Sequence, residues 1–192
     1  MSIRSFVILV LFPCVFHCSL FSQTIHANLN VGVAEFINTL SSDKAFTTKP
    51  VTEKQIELIL KCGIKAPSAR NLQPWRFTVV KDIKKMNQVI PDIQDGNVLI
   101  VISGQEKSPY SIEFDCALAT ENMFIAAKAL GLGARIYAGP VSKVNANLRD
   151  TLAIPAGFRV VSILRIGALD KAVDAETAAT GRKRFSEIVN YE

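Results

Sequence analysis

Histidine is almost missing from this sequence: only His17 and His26 occur in 192 residues. A Ser-His-Asp triad, a Cys-His pair and a histidine-based zinc site each need an imidazole at their centre. His17 lies in an apolar N-terminal run, and His26 lies in a short polar stretch. Triad-type hydrolysis and a zinc centre are therefore excluded, and Ser68, a serine at a turn, is assigned a hydrogen-bonding role instead of a nucleophilic one.

Cysteine is also scarce, and its spacing carries no metal signature. Cys14 and Cys18 belong to the N-terminal run, while Cys62 and Cys116 each fall inside a helical pattern. None of these spacings matches a metal-binding motif. Buried thiols are the favoured interpretation of the latter two, with a disulfide between them as the alternative if the protein is exported.

Basic residues are in mild excess but form no stripe. The formal net charge is +5, and the only dense basic cluster is Arg182-Lys183-Arg184 near the C-terminus. Nucleic-acid binders concentrate basic side chains on one face, often with interleaved aromatic residues. The sequence therefore predicts no nucleic-acid partner, and its charge suits a small anionic ligand.

The first 22 residues have the features of a secretory leader. Arg4 gives a positive start, residues 6–16 form an apolar run, and residues 19–22 supply small side chains before Gln23. These are the three regions of a signal peptide. We therefore predict a signal peptide over residues 1–22.

Two alternatives to a cleaved leader stay open: an uncleaved membrane anchor and a buried helix of the mature fold. The run is short for a bilayer span, and Pro13 interrupts it.

After the leader we predict a linker over residues 23–30 and one domain over residues 31–192. The expected location is exported, periplasmic or extracellular, with membrane-anchored or cytoplasmic protein as alternatives; the membrane is expected only through an uncleaved leader.

Helix and strand patterns alternate after the linker. Thr52 and Gln55 form a capping box, Pro67 ends the helix that follows, and residues 97–103 are a β-rich run typical of a central strand. These patterns predict a mixed α and β fold around a small sheet. The predicted helices are 33–40, 53–66, 83–90, 110–130, 141–152 and 185–189, and the predicted strands are 76–81, 97–103 and 158–166, with a short extended piece after Gly133.

The helix at 110–130 is the longest, with Ser108-Pro109 as its predicted N-cap and first turn. It is apolar nearly all round and contains many alanines, so it has almost no solvent face. Either the helix is wrapped by its own chain or another subunit covers it. We predict a subunit interface through this helix.

The segment between the second helix and the first strand is polar, with proline near each end and the only tryptophan after it. It reads Ala-Pro-Ser-Ala-Arg-Asn-Leu-Gln-Pro-Trp-Arg over residues 66–76. Such loops, held by a rigid scaffold, are where binding groups concentrate. The segment resembles the signature of the FMN-dependent nitroreductase family, and the resemblance extends over residues 33–190. Residues 115–133 are similar to that family's long dimer-forming helix and its glycine-rich end.

This resemblance implies a homodimer with two FMN sites at the interface. Each subunit would have the α+β nitroreductase-like fold, a small mixed or antiparallel sheet flanked by helices with a long central dimerisation helix. Ser42 and Lys44 match positions that hold the FMN phosphate, and Arg182 matches a basic residue that returns to it. Ser68, Asn71 and Gln73 match the loop that meets the flavin ring and ribityl chain, and Ala138-Gly139 match the backbone facing the flavin N5 edge. The cofactor-binding residues implied are Ser42, Lys44, Ser68, Asn71, Gln73, Ala138, Gly139 and Arg182.

The chemistry of these side chains agrees with the implied roles. A phosphate prefers charge-assisted donors, which Lys44 and Arg182 supply, and side-chain amides can pair with the donors and acceptors of a flavin's pyrimidine edge. Two positions depart from the family pattern, since Leu40 and Thr180 occupy places that are usually basic. Each lost charged hydrogen bond weakens FMN binding by roughly 1.5–3 kcal/mol.

The implied activity is an FMN-dependent oxidoreductase working in two half-reactions. NADH or NADPH would reduce the flavin, and a nitroaromatic, quinone or similar acceptor would then be reduced. No side chain is assigned as catalytic, because the hydride chemistry belongs to the cofactor. The alternative is an exported flavin-binding or electron-carrier protein without NAD(P)H turnover, which the leader favours.

Overall fold

The structure is a computed structural model that describes residues 32–173 and 181–192. The predicted signal peptide at 1–22, the linker at 23–30 and the departure at Thr180 lie outside the described residues. The chain divides into two compact units, Met1–Leu40 and Ser41–Glu192. The described part of the first unit is helix α1, over residues 32–38.

The second unit is built on one four-stranded sheet. Its strands are β1 (Trp75–Val80), β2 (Val98–Gln105), β3 (Gly133–Tyr137) and β4 (Phe158–Gly167), in the order β1-β2-β4-β3, with every neighbouring pair antiparallel. Every residue of β2 except Gln105 is buried, which confirms the predicted central strand. The sheet has β1 at one edge and β3 at the other.

Helices cover both faces of the sheet. They are α2 (Glu53–Ile64), α3 (Ile83–Val89), α4 (Ile112–Ala129) and α5 (Val141–Lys143, continued by a π-helical turn over Val144–Leu148), with 3₁₀ turns at Ala69–Asn71 and Phe185–Glu187. Helix α4 packs on β2, β3 and β4 and against α2, while a cluster of buried side chains from α3 and the helical segment α5 covers the other face. Where α4 meets the sheet, the buried hydroxyls of Thr120 and Ser162 lie 2.7 Å apart.

Local capping signals placed α2 correctly. The hydroxyl of Thr52 accepts from the backbone N–H of Gln55 at 3.3 Å, and the side-chain oxygen of Gln55 accepts from the N–H of Thr52 at 3.0 Å. The predicted capping box is therefore present. At the other end Lys65 caps the helix just before the loop.

Helix α4 begins later than predicted. Its N-cap is Ser111, whose hydroxyl accepts from the N–H of Phe114 at 3.2 Å. Ser108 instead closes a turn, because its N–H donates to the carbonyl of Gln105 at 3.0 Å. The predicted Ser108 cap was thus wrong, and the predicted stop at Gly131 is correct, with φ of 73° at that glycine.

Two later helices are also shorter than predicted. The segment predicted as a helix over residues 141–152 turns π-helical at Val144, and there the side-chain amide of Asn145 pairs with both backbone groups of Val160 at 2.9 Å. This pairing ties the segment to β4. The predicted terminal helix at 185–189 is a single 3₁₀ turn.

Helix α4 buries one face, and the described residues leave the other face uncovered. Phe114 is 67% exposed, Ala117 and Ala129 are exposed, and Ile125 is half-buried. Wrapping by its own chain therefore does not account for this helix among the described residues. The same residues contain no helix with the length and hydropathy needed to span a bilayer.

Candidate functional site

The loop between α2 and β1 has an unusual backbone. Arg70, Asn71 and Gln73 have φ of 50°, 56° and 49°, in the left-handed region that glycine usually occupies. A side chain there costs roughly 1–2 kcal/mol per residue, and such costs are concentrated at functional sites. The loop therefore has a strained backbone at three residues that are not glycine.

Hydrogen bonds within the loop hold this conformation. The hydroxyl of Ser68 accepts from the backbone N–H of Gln73 at 3.0 Å, and the side-chain amide of Gln73 donates to the Asn71 side-chain oxygen at 3.1 Å. Asn71 and Gln73 are exposed. Ser68 thus makes a hydrogen bond within the loop, its contact with a cofactor stays a prediction, and the two amides form an exposed polar pair.

The loop is also anchored at both ends. The backbone N–H of Ala69 donates to a carboxylate oxygen of Asp115 on α4 at 3.2 Å. At the other end Trp75 is buried and its ring stacks with that of Phe77, with centroids 6.3 Å apart. Trp75 is therefore a packing residue that fixes the point at which the loop enters β1.

The segment Ser42–Lys44 lies beside β3 and has an acid at its centre. Asp43 is 1% exposed, and its carboxylate accepts from Lys128 at 2.5 and 2.7 Å. The backbone N–H of Ala134 donates to the same carboxylate at 2.6 Å. Ser42 and Lys44, on either side, are exposed. Asp43 therefore fixes the two predicted phosphate-binding residues against β3 and the last turn of α4.

Sequence reasoning missed Asp43. Its partner Lys128 lies 85 residues away, so no local pattern links the two. The only signal is the placement of an acidic residue inside a segment expected to bind an anion. The structure explains this placement, because Lys128 neutralises the Asp43 carboxylate.

Strand β3 leads from this segment to the third predicted group, Ala138-Gly139. Both residues are exposed, and a Cβ added at Gly139 would meet nothing within 4 Å. A strand rises about 3.3 Å per residue, so Ala138 lies about 13 Å along the chain direction from Ala134. The open backbone at Ala138-Gly139 and the Ser42–Lys44 segment thus share one edge of the sheet.

The loop is not brought to that edge within one chain. It is tied to α4 at Asp115, and the Ser42–Lys44 segment is tied to α4 at Lys128. With a rise of about 1.5 Å per residue, these two points are roughly 20 Å apart along the helix. The loop also enters β1, which is three strand spacings from β3, or roughly 14 Å. The candidate site residues therefore form two separate groups on the single chain. One group is the loop, and the other is the Ser42–Lys44 segment together with Ala138-Gly139.

Arg182 belongs to neither group as the structure stands. It is exposed in the tail over residues 181–192 and makes no hydrogen bond or ion pair with other described residues. Its role in phosphate binding stays a prediction.

The structure also bears on thiol and metal chemistry near the loop. Burial, followed by the charge of neighbouring Asp115, raises the pKa of the Cys116 thiol to about 12. Cys116 therefore stays protonated at ordinary pH, and both it and Cys62 are free thiols. Within residues 32–173 and 181–192, no group of three or more His, Cys, Asp or Glu side chains is arranged to hold a metal ion.

Comparison with known proteins defines the class. A model of the nitroreductase family matches residues 41–97, a range that includes both the Ser42–Lys44 segment and the loop. A protein of Archaeoglobus fulgidus, assigned as an NADH dehydrogenase/NAD(P)H nitroreductase, is 34% identical over 145 residues, covering 69% of this chain and 83% of that protein. A protein of Methanothermobacter thermautotrophicus with the same assignment is 31% identical over 159 residues, covering 75% and 82%. The chain belongs to the nitroreductase family.

A solved structure has the same fold. It is described as a nitroreductase of Desulfovibrio desulfuricans in complex with FMN, and it superposes with a TM-score of 0.71 at 26% identity, covering 83% of this chain and 96% of that one. The α+β fold predicted from the resemblance is therefore confirmed, with an antiparallel sheet.

Proposed function

We propose that this protein is an FMN-dependent oxidoreductase that uses NADH or NADPH as donor and reduces nitroaromatic, quinone or similar acceptors in two half-reactions. The observation that carries the proposal is the exposed Asn71–Gln73 amide pair on a strained, anchored loop within a nitroreductase-family chain. The named FMN complex of the Desulfovibrio relative supports the choice of cofactor. Bound FMN would supply hydride acceptance and donation.

The residues at the Ser42–Lys44 segment fit a phosphate. The Lys44 ammonium and the Ser42 hydroxyl are exposed donors, and charge-assisted hydrogen bonds to phosphate are stronger than neutral ones. The Asp43 carboxylate between them forms an ion pair with Lys128, which balances its negative charge. Arg182 would add a second cation, while Leu40 adds none.

The residues along β3 and in the loop fit a planar ring system. The open space at Gly139 lets a flat ring approach the backbone closely, and the backbone N–H there would donate to the flavin N5 edge. Asn71 accepts from Gln73 through its oxygen, and among the described residues its amide NH₂ donates to no other group. That NH₂ group is thus suited to an acceptor on the pyrimidine edge.

A second copy of the chain would bring the two groups together. In each subunit the Ser42–Lys44 segment lies at one end of α4 and the loop lies at the other end, roughly 20 Å away. The uncovered face of α4 includes Phe114 and borders an open groove of ≈ 600 Å³ lined by Ile64, Asn122 and Ile125. We propose a homodimer with this face in the interface, in which the loop of one subunit meets Ser42–Lys44 and Ala138-Gly139 of the other.

Subunit mixing tests the shared site. Asn71→Ala and Lys44→Ala disable different halves of it, so each homodimer should bind FMN poorly. When the two variants are unfolded together and refolded, or co-expressed, heterodimers should contain one intact site. About half of the dimers are then mixed and carry one good site of two, which restores about a quarter of wild-type FMN binding and turnover.

A site built within one chain gives the opposite result. Every chain in the mixture would then carry one defect, and mixing would restore nothing. The separately refolded variants serve as the control for recovery during refolding.

The cofactor and donor are tested by an absorption spectrum of the purified protein with added FMN, followed by anaerobic titration with NADH and with NADPH. We expect near-stoichiometric FMN and bleaching of its visible band by at least one donor. Absence of FMN binding would overturn the proposed function. FMN binding without reduction by either nucleotide would favour the alternative electron carrier.

We also propose that the protein is exported, on the strength of the residue pattern over 1–22. N-terminal sequencing of the native protein should then begin at or near Gln23. A native chain beginning at residue 1 would indicate an anchor or a cytoplasmic protein instead.

A further inference from the structure

Asp115 is the most unusual polar residue near the loop. It is 1% exposed, yet only one of its carboxylate oxygens has a hydrogen-bond partner among the described residues. That oxygen, Oδ1, accepts from the backbone N–H of Ala69 at 3.2 Å, whereas Oδ2 is buried and has no hydrogen-bond donor among the described residues. A buried carboxylate oxygen without a donor is costly, so the position needs an explanation.

The hydrogen bond that the Asp115 side chain accepts lies at the start of the strained part of the loop. Ala69 begins the 3₁₀ turn Ala69–Asn71, and the strained residues Arg70 and Asn71 follow it immediately. A charged acceptor makes a hydrogen bond roughly twice as strong as a neutral one. Asp115 also lies in the first turns of α4, where the helix dipole favours a negative charge. The carboxylate is thus a strong, fixed acceptor at the start of a segment whose backbone is strained.

We propose that Asp115 is the positioning residue of the loop: through the N–H of Ala69 it holds Asn71 in its left-handed conformation and so sets how the loop meets the flavin. Asp115 acts on the loop through Ala69. The flavin part of this inference rests on the proposed function, whereas the effect on the loop does not.

The first test uses the protein without FMN and compares wild type, Asp115→Ala, Asp115→Asn and a control, Glu113→Ala. Glu113 lies on the same helix, but its carboxylate pairs with Arg159 and Ser111 at the surface. Trypsin cuts after Arg70, which is exposed, and Trp75 is the only tryptophan. The rate of cleavage at the Arg70-Asn71 bond and acrylamide quenching of Trp75 therefore both report on the loop.

Asp115→Ala should raise the cleavage rate after Arg70 by about tenfold or more, which corresponds to losing a hydrogen bond to a charged group. Asp115→Asn keeps an acceptor for Ala69 but loses the charge, so it should fall between wild type and the alanine variant. Glu113→Ala should match wild type. Cleavage in Asp115→Ala at the rate of Glu113→Ala, or equally faster cleavage at all tryptic sites, would overturn the inference.

The second test adds FMN. Asp115→Ala should bind it about tenfold more weakly and shift the flavin visible band or midpoint potential, with partial rescue in Asp115→Asn. A merely structural role would lower the melting temperature and leave the spectrum of bound flavin unchanged, which would contradict positioning. If no variant and no wild-type protein binds FMN, the proposed function fails, while the cleavage result still decides the role of Asp115 in the loop. If Asp115→Ala does not fold, Asp115→Asn alone decides both tests.

Discussion

Lys128→Met should destabilise the folded protein by about 3–5 kcal/mol, because removing one partner of a buried ion pair is strongly destabilising. The Lys128 side chain is 15% exposed and that of Asp43 is 2% exposed, with 2.5 Å between the ammonium nitrogen and the carboxylate oxygen. After the substitution the Asp43 carboxylate keeps the N–H of Ala134 but loses the ammonium of Lys128. The expected readout is a lower urea midpoint with an unchanged slope of the unfolding free energy.

Two further variants make this expectation specific to the buried pair. Lys61→Met removes the lysine of an exposed pair with Glu57, both 66% exposed, and should leave the urea midpoint nearly unchanged, because solvent screens such pairs. Asp43→Leu combined with Lys128→Met should recover most of the loss, because an apolar pair can replace a buried ion pair. The recovery should fall short by about 1–3 kcal/mol, since the N–H of Ala134 is then left without its acceptor. A single variant no worse than Lys61→Met would mean that this pair does not anchor the segment.

Gly104→Val should destabilise the protein by about 3 kcal/mol through overpacking where β2 meets the start of α4. A Cβ at Gly104 would lie 2.6 Å from Cβ of Ile112, 3.1 Å from its Cδ1 and 3.2 Å from Sγ of Cys116. The Cβ of Ile112 cannot swing away, so α4 itself would have to move. Thermal unfolding monitored by circular dichroism measures the loss.

Gly181→Val is the matched control, because a Cβ at Gly181 meets nothing within 4 Å. It should unfold at nearly the wild-type temperature. Since the first turns of α4 also carry Asp115, Gly104→Val should loosen the loop at 66–76 as well. Equal melting temperatures for the two valine variants would show that α4 has room to shift.

The predictions that succeeded rest on local chemistry. Thr52 and Gln55 lie three residues apart, so their mutual capping could be predicted without the fold. The start of α4 failed because Ser108 and Ser111 are both competent caps, and the turn from Gln105 decided between them. The central strand was predictable because burial on both faces leaves an unbroken apolar run.

The candidate site was predictable by position but not by arrangement. The resemblance located Ser42, Lys44 and Asn71 along the sequence. It did not show that the loop and the Ser42–Lys44 segment lie at opposite ends of α4. Asp43 and Asp115 were missed because their partners come from distant parts of the chain, and a pattern within a short window does not contain such pairs. Long-range pairing is the information that the fold adds.

The separation of the two groups along α4 links cofactor binding to association. In the proposed dimer each FMN would contact both chains, so FMN would favour the dimer over the monomer by mass action, and dimer formation would tighten FMN by the same factor. Dilution would then release cofactor and subunits together. Specific activity would depend on protein concentration, and excess FMN would restore it in dilute solution.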